Sequence, residues 1–114
     1  MTETTSSPDP LMVDLDALEG LVEIQTEATV SRTVLRAEGV KVVLFAFDAG
    51  QELTEHTAAM PVLLQVLRGR LEVTADGRAV DLRPGGLIHL TTRAPHAVHA
   101  VEPSILALTM LGAR

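Results

Sequence analysis

The sequence contains no cysteine, tryptophan or tyrosine, and Phe45 and Phe47 are its only aromatic side chains. Without thiols there is no disulfide framework, no thiolate metal site and no cysteine nucleophile. With two aromatics there is almost no platform on which a nucleobase or sugar ring could stack. Basic charge is scarce as well. Nine Lys and Arg stand against 15 Asp and Glu, for a formal net charge of −6, whereas a nucleic-acid partner demands a basic surface. No apolar run approaches the ~20 residues that cross a bilayer, so no membrane partner is expected. The opening MTETTSSPDP lacks both a basic and an apolar leader region, which reads against a secretory signal and for a cytoplasmic protein. No Ser-His-Asp pattern, phosphate-binding loop or dinucleotide fingerprint is found.

What the chain does have is aliphatic surface to bury. Hydrophobic residues make up 46% of its 114 positions, enough for one packed domain with one core. The polar, Ser/Thr/Pro-rich residues 1–10 are expected to be a disordered tail, and residues 11–114 a single domain. Apolar segments are short and turn residues recur between them, the mark of an all-β sandwich or barrel. Thr29–Ala37 and Val40–Phe47 flank Glu38-Gly39, a tight turn. Val40–Phe47 (VKVVLFAF) is nearly continuously apolar, as a strand buried on both faces would be. Val62–Leu67, Leu71–Thr74, Ala79–Leu82, Leu87–Leu90, Ala97–Val101 and Ile105–Leu111 are the further expected strands, and Asp76-Gly77 marks a two-residue hairpin. Gly and Pro interrupt every window long enough for a three-turn helix. One helical turn is expected near Asp14–Glu19.

From Gly50 onward the residues resemble the two motifs of the cupin family. In the first, Gly50 is followed after five residues by His56, a ligand position. The second His position holds Ala58, the Glu position holds Val62, and Gly69 stands where the motif ends. In the second, Pro84-Gly85 keeps the turn and Gly86 replaces an acid. Thr91 and Arg93 replace Pro and Gly, His96 occupies the ligand position, and Ala100 replaces Asn. The segments LFAFDAGQELTEH, LLQVLRGRLEV and PHAVHAVEPS resemble small single-domain bacterial cupins, over roughly residues 30 to 111. The resemblance implies a double-stranded β-helix, an antiparallel jelly-roll barrel of the RmlC-like kind. Its interior site usually holds a metal through three His and one Glu.

Here the spacing is kept and the ligand set is thinned. His56 and His96 are the candidate ligands for a divalent transition metal, with Zn, Ni, Fe, Mn and Cu all open. His89 is a candidate third ligand whose face alternation alone does not settle. His99 lies three residues from His96 and should face away from it. Glu55 should point away from His56 unless a bulge intervenes, and Gln65 should face away from Val62. Ala58, Met60 and Val62 are expected to line an apolar cavity suited to a small molecule. Two functions remain open. One is a small-molecule-binding barrel, with or without metal. The other is a metal-dependent oxygenase, isomerase or lyase acting on a small organic acid or carbonyl compound. Catalytic residues are not assigned. Because a small barrel leaves edge strands uncovered, a homodimer is expected, with the apolar Leu21–Ala37 region packing on its partner.

Overall fold

The computed structural model describes residues 10–112. Apart from Pro10, the tail expected over residues 1–10 lies outside them. Nine strands account for most of the described chain: β1 (Thr29–Ala37), β2 (Val40–Phe47), β3 (Glu52–His56), β4 (Val62–Arg68), β5 (Leu71–Ala75), β6 (Arg78–Leu82), β7 (Leu87–Leu90), β8 (His96–Ala100) and β9 (Ser104–Leu111). The only helical element among the described residues is a 3₁₀ turn at Leu18–Leu21. It begins a few residues later than the turn expected over Asp14–Glu19.

The strands form two antiparallel sheets of order β1-β2-β9-β4-β7 and β3-β8-β5-β6, closed face to face as a jelly-roll barrel. The inner faces meet in one aliphatic core. Phe47, Val62, Leu64 and Val66 from one sheet pack against Leu71, Val73, Leu82 and Val98 from the other. Strand alternation does the sorting: Val62, Leu64 and Val66 are buried while Gln65 between them is exposed, as its position relative to Val62 suggested. At ~25 cal/mol per Å² of apolar area removed from water, this interior is the main source of stability.

β2 is buried on both faces, as its unbroken apolar run indicated. Phe45 and Phe47 stack at 6.1 Å inside the barrel. Leu44 and Ala46 point the other way, into a second cluster with Val22, Ile105 and Ala107 on the outside of the five-stranded sheet. The segment preceding β1 supplies that cover, because Leu21, Val22 and Ile24 all pack there. The outer face of the four-stranded sheet is polar. Glu52 meets His99 at 3.5 Å, and Asp81 meets Arg70 at 2.7 Å. The hydrogen bond from Arg70 holds the Asp81 carboxyl below its ordinary range. Both side chains are well exposed, so the pair adds little to stability.

Gly69 turns the chain between β4 and β5 at φ +85°. A β-carbon there would lie 2.2 Å from the Pro103 carbonyl oxygen and 2.3 Å from Ser104 Oγ. That hydroxyl is buried and already committed. It accepts from the Arg70 amide at 2.9 Å and donates to the Glu102 carbonyl at 2.7 Å, so it cannot give way cheaply. Gly39 shares the left-handed geometry at φ +78° but has open space around it. Gly69→Ala should therefore cost about 3 kcal/mol, against about 1 kcal/mol of backbone strain alone for Gly39→Ala. Urea denaturation of both variants checks this; equal losses would show that the contact with Ser104 does not select the glycine.

Candidate functional site

β3 carries an extra residue. Glu52 pairs with His99 and Leu53 with Val98, yet His56 pairs with His96. Three residues on β3 thus span two on β8. The irregularity between Leu53 and His56 is a one-residue bulge, which re-aims the strand beyond it. Leu53 packs against the core and Val98 belongs to it, so this step sets His56 on the same side as His96. Without it, His56 would alternate to the outer face. The sequence reading raised a bulge only as an exception for Glu55, and the structure contains one.

The two imidazoles lie with ring centroids 4.2 Å apart at 58°. His96 is 2% exposed, while His56 stands exposed at the rim of the barrel. Each ring is held by the backbone two residues before it. Nδ1 of His56 lies 2.7 Å from the Thr54 carbonyl, and Nδ1 of His96 lies 2.9 Å from the Ala94 carbonyl. A carbonyl oxygen can only accept, so in both rings Nδ1–H is the donor. The tautomer is thereby fixed, and in the neutral ring Nε2 keeps its lone pair. The backbone anchors that orient ligating histidines in metal sites work in the same way. The loops that bear the pair are also tied to each other, because the Arg93 amide donates to the Ala58 carbonyl at 2.9 Å.

The other sequence-nominated residues fall around this pair. Val62 is 1% exposed and pairs in register with Leu90 and Met110, inside the packed core. Ala58 is half-buried and packs against the same core, and Met60 is half-buried just before β4. His89 is not brought to the pair. It lies on β7, opposite Leu63 and out of phase with the inward Ile88 and Leu90. His99 faces out toward Glu52, and Glu55 is exposed. Among the described residues no group of three His, Cys, Asp or Glu side chains is placed to share a metal ion. The donor set is therefore two imidazoles. It suits a borderline divalent ion that accepts solvent in its remaining positions.

Arg78, which the sequence placed only in a turn, joins the site by register. His56 pairs with His96, His96 with Ala75, and Ala75 with Arg78. These four residues form one row across the four-stranded sheet. Residues in such a row share a face. The available signal was alternation read backwards from Leu82 through Val80 to Arg78 across an otherwise short strand.

The cupin-domain family pattern matches residues 43–112, which include both histidines. A search of curated proteins finds no match. Among crystal structures, an RmlC-like cupin protein from Desulfovibrio desulfuricans is similar at 29% identity and TM-score 0.78, over 89% of this chain and 97% of that one. A conserved Streptococcus pyogenes protein of unknown function is similar at 24% identity and TM-score 0.77, over 100% and 97%. A salicylate 1,2-dioxygenase variant from Pseudoaminobacter salicylatoxidans is similar at 15% identity and TM-score 0.68, over 81% of this chain and 28% of that one. The last two likenesses are of fold alone. No helix among the described residues is long and apolar enough to cross a membrane. The matched pattern spans more than half of the sequence, and both motif histidines within it meet at one rim: the chain belongs to the cupin family.

Proposed function

We propose that this cupin is a binding barrel, one that takes a small molecule at its histidine-bearing rim and offers a two-histidine site to a divalent transition metal. The observation that carries the reading is the His56–His96 pair, with both Nδ1 atoms held by backbone carbonyls. Such anchoring orients a ring without consuming Nε2, the atom a metal or a ligand proton would use. A bound ion would supply Lewis acidity toward an oxygen of the small molecule. The alternative, a metal-dependent oxygenase, isomerase or lyase, has the fold's precedent in the similar dioxygenase structure. The aliphatic residues at Ala58 and Val62 favour binding, since they leave the ion with fewer fixed ligands than catalytic sites of this fold usually hold.

Titration of the chelator-treated protein with nickel and zinc tests this by calorimetry. Wild type should bind one ion per chain weakly, and His56→Ala should lose at least about tenfold in affinity, the scale on which ligand-shell changes act. Binding should also weaken in acid, because an imidazole must be neutral to ligate. Equal affinity in wild type and His56→Ala would remove the metal from the reading.

The same proposal includes a homodimer. The segment ahead of the 3₁₀ turn carries Leu11, Met12, Val13 and Leu15 on the surface, Leu11 being 105% exposed. β1 is an edge strand of the five-stranded sheet, while Leu21, Val30 and Val34 pack on their own sheet. The proposed contact is thus the Leu11–Leu15 arm and the open β1 edge of a second copy, a pairing that covers both. Light scattering should give twice the chain mass for wild type and the chain mass for Leu11→Asp/Val13→Asp; a monomeric wild type at high micromolar concentration would contradict the proposal.

A further inference from the structure

Where the edge strands β6 and β7 of the two sheets approach each other, the barrel has an opening of about 120 Å³. Its floor is aliphatic: Val73, Val80, Ile88 and Leu90. Arg78 and His89 stand at its margin. We infer that this opening binds a small monocarboxylic acid, with the Arg78 guanidinium as the anchor for its carboxylate. The inference deepens the small-molecule reading above by naming the ligand class, and it requires no metal.

Arg78 is where it is for a local reason. Asp76 and Gly77 both have positive φ, 53° and 72°, which is the signature of the tight hairpin turn that matches strand twist. This turn fixes the pairing of Ala75 with Arg78 and of Val73 with Val80. Val80 and Leu82 then alternate inward on β6, and Arg78 heads the same column. The Arg78 side chain is exposed at the mouth of the opening, and no acidic side chain among the described residues pairs with it, even though Asp76 borders the same opening. Arg70 and Arg83 both pair with Asp81 on the outer face. The guanidinium is left with a full set of planar donors, the geometry that takes a carboxylate through two parallel hydrogen bonds. The aliphatic floor beside it offers apolar contact to the body of the acid.

Size and polarity narrow the ligand. At ~30 Å³ per water, the opening holds about four water volumes, which fits an acid of about four to six non-hydrogen atoms. The floor suits a short aliphatic body and gives no partner to a second charge. A dicarboxylate would set its other end against apolar side chains, in a chain whose net charge is −6. Ala75 separates Arg78 from His96 in the row across the sheet. At ~4.8 Å per strand, the far end of a bound acid would point toward the histidine pair about 10 Å away.

The test is a ¹H–¹⁵N NMR titration of the chelator-treated protein with sodium butyrate. Butyramide serves as the uncharged isostere, and sodium chloride matches ionic strength. Butyrate should give saturable shifts confined to amides near Ala75–Val80 and Ile88–Leu90, and butyramide should give none. Arg78→Gln should weaken butyrate binding at least about tenfold, and Arg78→Lys by less, because an ammonium keeps the charge but not the fork. Because the titration uses chelator-treated protein, failure of the metal-binding reading leaves this result standing. Equal shifts with butyramide, no saturation, or unchanged affinity in a folded Arg78→Gln would overturn the inference.

Discussion

The extra residue between Leu53 and His56 is the constraint on which the site depends. In a regular antiparallel ladder, His56 would face solvent from the outer side of the four-stranded sheet. The bulge brings it into register with His96 instead. Only then do the two rings come within 4.2 Å. Their further order is local. Each imidazole reaches back to a carbonyl two residues earlier, at Thr54 and Ala94. Pro95 bears on the second of these, because it disfavours a helical conformation for Ala94 and keeps the approach to β8 extended. The Arg93–Ala58 hydrogen bond joins the two loops. Preorganisation of this kind lowers the ordering cost of binding.

The barrel beneath the pair is filled rather than open. Val62 occupies the position where the family motif has a carboxylate, and it is packed between Leu90 and Met110. This exchange has two consequences. The interior gains buried aliphatic area and avoids the cost of an unpaired charge in a dry core. The rim, in turn, has two fixed nitrogen donors, so an ion held there would depend on solvent for its other positions. The nitrogen-bearing side chains stand instead at the rim and at the seam between β6 and β7. His56, His96, Ala75 and Arg78 lie there in one row.

Most of the framework was legible because burial imposes alternation. β2 read as doubly buried and is so. Gln65 and His99 were placed outward by counting residues, and both are exposed. The Asp76-Gly77 turn announced its hairpin. β3 was not legible as a strand. Four of its five residues are exposed and Leu53 alone is half-buried, so no periodic apolar signal marks it. The strand that carries His56 is thus the one that hydrophobic patterning could not show, and its position came from motif spacing alone. Arg78 was missed for a related reason. A five-residue strand with three exposed positions before its first buried one, Leu82, gives alternation little to work with. The 3₁₀ turn was misplaced by a few residues, since what fixes it is the packing of Leu21 and Val22 on the outer sheet face.

The central claim is that the fold presents two histidines as a matched pair, each with Nδ1 bound to the backbone and Nε2 left free. Two-bond ¹H–¹⁵N correlation spectra of the imidazole rings report this most directly, recorded on the metal-free protein at alkaline pH, where both rings are neutral. The account predicts the Nδ1–H tautomer for both His56 and His96. A dominant Nε2–H tautomer at either ring would contradict it.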